Sequence, residues 1–334
     1  MITLTILKPA EGAPPTETVT GFPERIKEGE MLWVDVESPT EKELADLGRR
    51  FSLDSYALED VAHRHQRPKL EDCGGNVFGV VHVPARVSHR VDVSELFVFF
   101  SKEWLITVHS GDPGLIHAVE SRVRTRGLAP LSANPTPDLL FYIFLDFAVD
   151  AYYPLLDEIE DQLEALDKQA ISAFKTRAKR VENVVTISSA VGGVRKSLMT
   201  LRRSLTPTRD MLGTVMRGAV PYVADSSLRN FRDIYDHSFQ LLETIDNDRD
   251  RTGDVRDLYI SLQTASTDNI IKLLTIVATI FLPLTLLAGI YGTNFTAGFF
   301  EPGSGSALGF YSLIVAMLAI AALLLLSFRR SGWL

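Results

Sequence analysis

The chain has 334 residues with 34 Lys and Arg against 42 Asp and Glu, and its net charge of -8 argues against nucleic acid as a partner, since a protein that neutralises phosphates is expected to be basic. Its one cysteine, Cys73, excludes an intrachain disulfide, and no Cys/His cluster has structural-zinc spacing, so a reducing cytosol fits the composition. The length exceeds what one compact domain usually needs, and apolar residues crowd the C-terminal end while the charge lies almost entirely before it.

Residues 1–8 alternate apolar and polar side chains and run into Pro9 and Pro14, which predicts a strand and lacks the basic-then-apolar order of a secretory signal. Further strands are predicted at 31–36, 77–83, 95–100 and 104–109 from their β-branched and aromatic runs. Helices are predicted at 40–51, where Thr40 stands three residues before Glu43 as in a capping box, and at 55–62. Interleaved strands and helices give an α/β domain over 1–130, followed by a proline-rich connector at 127–137. His63 and His65 have the spacing of a metal pair, but with Arg64 and Arg67 beside them they are assigned to surface or interdomain contacts.

From Asp138 onward the pattern is helical only, with Leu139, Ile143, Phe147, Leu155, Ile159, Leu163 and Leu166 at helical spacing. Pro207 and Pro221 are expected to break it around a turn near 218–225. Ser226 or Ser227 then caps a helix that meets no strong stop until Pro283, a rod of roughly 100 Å at 1.5 Å per residue. A helix of that length cannot bury itself within one monomer, so identical copies are expected around it. The aspartate-rich run 246–254 is not a calcium loop, because Gly253 falls at its eighth position and that loop needs glycine at the sixth.

Residues 273–291 carry no ionisable side chain except Tyr291, and 308–328 are as apolar; each run is long enough to cross a hydrocarbon core of about 30 Å. Lys272 precedes the first run and Arg329 with Arg330 follow the second, whereas 292–307 carries only Glu301. That asymmetry predicts two spans in an inner or plasma membrane with both termini in the cytosol. Lys272, Arg329 and Arg330 serve equally as a basic collar on an ion exit or as headgroup anchors. Pro283 frees one carbonyl in the first span, and the hydroxyls of Thr279 and Thr285 are placed to satisfy it.

Steps of three and four along the long helix select Asp250, Asp254, Asp257, Ser261, Thr264, Asp268, Ile271, Thr275, Ala278, Leu282, Thr285, Gly289 and Gly292. A seam buried between two helices would hold Leu and Ile instead. Copies packed with this stripe inward make rings of carboxylate and hydroxyl oxygens, the lining that hard cations such as Mg2+ favour, whereas the same aspartates on a lone stalk are simply a solvated face. Directly after the first span stands Tyr291-Gly292-Thr293-Asn294-Phe295. Glycine permits a sharp exit from the helix, and several Asn294 amides around an axis present carbonyl oxygens to a hydrated cation.

With that motif between two C-terminal spans, the chain resembles the CorA-type magnesium transporter family. The resemblance extends through 56–61 (YALEDV), 65–71 (HQRPKLE), 231–237 (FRDIYDH), 272–295 and the tail 329–334. It implies a funnel-shaped homopentamer: an α+β cytosolic domain of the α/β/α type (1–130), a helical stalk (138–272, its long helix from about 226) and a pore-lining first transmembrane helix (273–291). An extracytoplasmic loop (292–307), a second transmembrane helix (308–328) and a cytosolic tail (329–334) complete it. Carried over by position, Gly292, Thr293 and Asn294 form the selectivity filter. Asp257, Thr264, Asp268, Ile271, Leu274, Leu282 and Thr285 line the pore, Glu301 stands in the outer loop, and Asp233 with Asp92 are the carboxylates of a regulatory Mg2+ site between subunits.

Three departures bear on the cargo. Thr293 replaces the usual methionine of the signature, Asp268 stands where a pore asparagine is common, and 85–92 offers only Asp92 as second sensor carboxylate. The expected function is passive uptake of Mg2+, with Co2+ or Ni2+ as minor cargo, gated by internal divalent cation; the partners are further copies of the chain, the cations and the bilayer. No GxxxxGK[ST] loop is present, so neither ATP-driven pumping nor an enzymatic activity or organic cofactor is expected. The alternatives are a transporter of Zn2+ or another transition metal, coupled to protons, and a membrane-anchored sensor or scaffold.

Overall fold

The computed structural model describes residues 1–9, 16–88, 90–111, 114–128, 131–132, 134–175, 180–292 and 307–333. They form two compact units, one of residues 1–170 with 181–256 and one of residues 171–180 with 257–334.

The first unit is built on a seven-stranded sheet in the order β2-β1-β3-β7-β6-β5-β4. Its strands are β1 (Ile2–Leu7), β2 (Thr16–Val19), β3 (Met31–Glu37), β4 (Lys69–Asp72), β5 (Val77–Val87), β6 (Arg90–Phe100) and β7 (Trp104–His109). Only β3 and β7 pair in parallel, with Val34 opposite Ile106. Side chains alternate across the sheet, so Val34, Val36, Phe97, Phe99, Ile106 and Val108 join one core with Leu44 and Leu47 of α1 (Glu41–Phe51) and Ala57 and Val61 of α2 (Ser55–His63). The capping box that starts α1 is present: Thr40 Oγ1 accepts from Glu43 N, and Glu43 Oε2 accepts from Thr40 N at 2.8 Å. The opposite face, led by Trp33 and Phe100, packs on Phe144 and Phe141 of α4 (Pro137–Asp150), with ring centroids 5.6 and 5.1 Å apart. Helices therefore cover both faces, as α/β/α layering requires, and α4 shares a core with the strands that precede it. Beside α4 lies α3 (Gly114–Arg126).

Three further helices follow: α5 (Tyr152–Lys175), α6 (Arg180–Met216) and, after a short 3-10 turn at Asp225–Ser227, α7 (Leu228–Gly292). Pro207 does not break the helical pattern, since it lies inside α6. The bond that its ring removes is outweighed by the packing of Leu201, Leu205 and Leu212, all fully buried on either side of it. Pro221 does fall in the expected turn, between Gly218 at φ 67° and Tyr222 at φ 63°. Ser227, instead of being only a helix-start signal, donates its hydroxyl to Asp138 at 2.6 Å, and Ala224 N donates to the same oxygen at 3.0 Å. Asp138 is 2% exposed, so one buried carboxylate holds the start of α4 to the start of α7. A second buried chain runs from the Tyr152 hydroxyl to Ser204 Oγ (2.6 Å), on to His82 Nδ1 (3.2 Å), and from His82 Nε2 to the Gln66 carbonyl (2.8 Å). It ties α5, α6, β5 and the loop before β4 together.

In the second unit the residues of α7 from Asp257 onward stand with α8 (Ala307–Arg330). Among the described residues three stretches are long and apolar enough to cross a membrane: Pro137–Ser172, Asp225–Ile290 and Tyr311–Arg330. The apolar window of the first is 67% buried and is core; in the other two only 6% and 0% is buried. Leu274, Leu282 and Leu318 are each more than 60% exposed, a surface that water does not tolerate over such an extent. The two helices meet at one end, where Lys272 Nζ donates to the Gly332 carbonyl at 3.2 Å and lies 5.7 Å from the Trp333 ring centroid.

Candidate ion path

The positions of the stripe read from the sequence are exposed on α7 as far as Gly289, as are Leu273, Val277, Phe281, Leu286 and Ile290 on its other faces. In the first unit Asp250 and Asp254 are exposed, while Thr252 and Val255 turn inward and are buried. In the second unit Asp257, Ser261, Thr264, Asp268, Ile271, Leu274, Thr275, Leu282 and Thr285 are all exposed. The inward positions there are Tyr259 and Ile276, both buried, and the partly buried Ile280, Pro283 and Leu287. Helical geometry turns the few buried positions to one side, and the acidic and hydroxylated positions lie off that side.

The hydroxyls on this face are oriented alike. Thr264, Thr275 and Thr285 each donate to the carbonyl four residues back, Ile260 (3.0 Å), Ile271 (2.8 Å) and Phe281 (2.8 Å). Each proton is thereby turned into the helix and the oxygen lone pairs outward, which suits a cation. Thr285 consequently does not serve the carbonyl of Thr279 that Pro283 frees, because its hydroxyl is committed to the Phe281 carbonyl, four residues back. The helix ends at Gly292, while Thr293, Asn294 and Glu301 lie outside the described residues.

Asp233 is exposed on α7, and Asp92 is exposed on β6, opposite Ala85, where its carboxylate accepts from Val93 N at 2.9 Å. Among the described residues no group of three or more His, Cys, Asp or Glu side chains could hold a metal ion, so neither carboxylate sits in such a group. His63 instead bonds its own helix through the Glu59 carbonyl, and His65 N donates to Glu95. The sequence reading missed two acids near Asp233. Burial and the neighbouring Asp146 hold the Asp150 carboxyl above the usual aspartate range; Asp233 adds to this, and His237 and Arg122 oppose it. Asp146 is itself paired to Arg122 at 3.1 Å. Their signal was the i, i+4 spacing of Asp146 and Asp150 on an otherwise apolar helix.

Residues 28–330 match the family described as CorA-like Mg2+ transporter protein. The chain belongs to that family. It is 32% identical over 316 residues to YfjQ of Bacillus subtilis, covering 93% of this chain and 92% of that one. The cobalt/magnesium transport protein CorA of Thermotoga maritima is 28% identical over 292 residues, 86% of this chain and 79% of its own. The zinc transport protein ZntB of Pectobacterium carotovorum is 29% identical over 141 residues, 42% of each. The complete structure of the CorA magnesium transporter from Methanocaldococcus jannaschii superposes with a TM-score of 0.84, covering 100% of this chain and 99% of that one at 22% identity, which establishes the shared fold. As a CorA-family protein, this chain is a membrane transporter of divalent metal ions and not an enzyme.

Proposed function

We infer that the chain conducts Mg2+ inward as a homopentamer, with α7 of each copy contributing its exposed stripe to a central path. The carrying observation is that stripe itself: carboxylates and outward-turned hydroxyl oxygens, then apolar and small residues, on a helix face that its own chain leaves uncovered. Rings of Asp257, Thr264 and Asp268 attract the cation electrostatically, Ile271, Leu274 and Leu282 narrow the path, and Thr285 supplies one further hydroxyl ring. Gly292, Thr293 and Asn294 select a hydrated ion at the outer mouth, with Glu301 drawing cations to it. Asp233, with Asp92 of an adjoining copy, binds internal Mg2+ and favours closure. Both termini lie in the cytosol, with α7 and α8 crossing the inner or plasma membrane. No organic cofactor enters this scheme.

Zn2+ as cargo is the second reading, supported by the similarity to ZntB and by Thr293 at the variable position of the signature. Flux into proteoliposomes separates the two. Mg2+ entry driven by an inside-negative potential and indifferent to a pH gradient supports the Mg2+ channel; Zn2+ entry that collapses with the pH gradient, without Mg2+ entry, overturns it.

A further inference from the structure

The first unit carries a cleft of about 1220 Å³ that the ion path does not use. Six arginines line it: Arg64 and Arg67 from the loop between α2 and β4, Arg195, Arg202 and Arg203 from α6, and Arg249 from α7. Glu95 is the single carboxylate among the described lining residues, and it is already engaged by His65 N at 2.9 Å. Asp246 pairs with Arg202 at 2.8 Å and with Arg249 at 3.7 Å. Arg64, Arg67, Arg195 and Arg203 have no carboxylate within 4 Å among the described residues. In a chain whose net charge is -8, four unpaired guanidinium groups converging on one concavity are not an average surface. A cleft lined by one sign of charge focuses its field on whatever enters. Thr206 also stands in the wall, its hydroxyl oxygen buried and without a hydrogen-bond partner among the described residues.

We propose that this cleft binds a small polyphosphate anion, a nucleoside triphosphate or inorganic tripolyphosphate. Guanidinium forks match phosphate oxygens two at a time, which a hydrated ammonium does not, and all the cations here are arginines. The volume accepts a triphosphate with a nucleoside attached, and Met199, 43% exposed, gives the wall an apolar section for a base. The neutral His82 on the cleft wall adds no charge, because burial drives its pKa below the ordinary imidazole value, and its Nε2 is fixed on the Gln66 carbonyl. Attraction grows with ligand charge, so the metal-free triphosphate binds more tightly than its Mg2+ complex, in which two charges are cancelled. The site stands independently of whether the chain conducts ions.

The test is calorimetric titration of the full-length protein in detergent with ATP, tripolyphosphate and adenosine, each with and without excess Mg2+. Binding of ATP, of tripolyphosphate or of both, weakened by Mg2+, is the expected result, and which of the two binds more tightly tells whether the nucleoside contributes. Arg195→Ala/Arg203→Ala weakens it at least about tenfold, Arg195→Lys/Arg203→Lys, which keeps the charge and loses the forks, weakens it by less than the alanine pair but measurably, and Arg126→Ala, outside the cleft, leaves it unchanged. Elution of each variant at the wild-type size guards against loss of fold. The proposal is overturned if adenosine binds as well as ATP, if Mg2+ strengthens binding, if the double alanine variant binds normally, or if neither polyphosphate binds. The last result would leave the cleft to an acidic segment of a neighbouring copy.

Discussion

Asp138→Ala tests how the base of the long helix is held. The side chain is 2% exposed and accepts two hydrogen bonds, from Ala224 N at 3.0 Å and from the buried Ser227 hydroxyl at 2.6 Å. Hydrogen bonds to a charged group contribute about 1.5–3 kcal/mol each, and the variant also strands two donors, so the loss is about 3–5 kcal/mol. For a unit of this size each kcal/mol moves the melting temperature by about 2–4 °C, which predicts a fall on the order of 10 °C. Thermal unfolding of the full chain in detergent, followed by the fluorescence of buried Trp33, measures it. Ser227→Ala alone removes one bond and costs roughly half as much. Because both changes act on one clamp, the double variant loses little more than Asp138→Ala alone. A fall below about 2 °C for Asp138→Ala, or strict additivity in the double variant, refutes the clamp.

His82 gives a pH dependence of defined sign. Its folded pKa is lowered by burial, against the opposing pull of the Gln66 carbonyl, so the unfolded chain binds a proton that the folded chain resists. Stability is therefore complete above the unfolded value of 6.5 and declines as pH falls from there towards the folded pKa. His82→Gln keeps a donor for Gln66 but cannot titrate, and melting curves across that window fall less steeply for it than for wild type; parallel curves contradict the assignment. Asn294→Ala removes the amide ring from the outer mouth and lowers Mg2+ flux in proteoliposomes at least about tenfold, a barrier of ~1.4 kcal/mol, with assembly intact. Unchanged rate and selectivity remove Asn294 from the filter. Asp233→Ala shifts inhibition by internal Mg2+ to higher concentration, and a wild-type inhibition curve rejects a regulatory role.

Legibility in the sequence followed the strength of local pattern. The strand at 104–109 is legible to the residue and the one within 1–8 to within a residue at each end, and α1 is legible because Thr40 and Glu43 announce its start. The hairpin of β5 and β6 reaches farther than 83 and 95, to Val87 and Arg90, because Pro84 and the exposed charges of Arg90 and Asp92 masked its outer half. Beyond Val80 β5 no longer has β4 beside it and pairs with β6 alone, so Pro84 stands where one side of the strand is open, as prolines in sheets do. Short polar edges such as β2 and β4, and α3 with only Ile116, Val119 and Val123 buried, carry too little periodicity to stand out. Pro207 misled because tertiary packing overrode a local preference. The acidic and hydroxylated line along α7 stands out in the sequence because it recurs at every third or fourth residue. The arginine cleft was not, because its residues come from one loop and two helices far apart in sequence, and only the fold gathers them.

The account depends most on several copies presenting that face to one axis. Native mass measurement of the protein in lipid tests this directly: it predicts particles of five copies of the 37.1 kDa chain. Particles of a single chain, under conditions where divalent cations still cross the bilayer, contradict it.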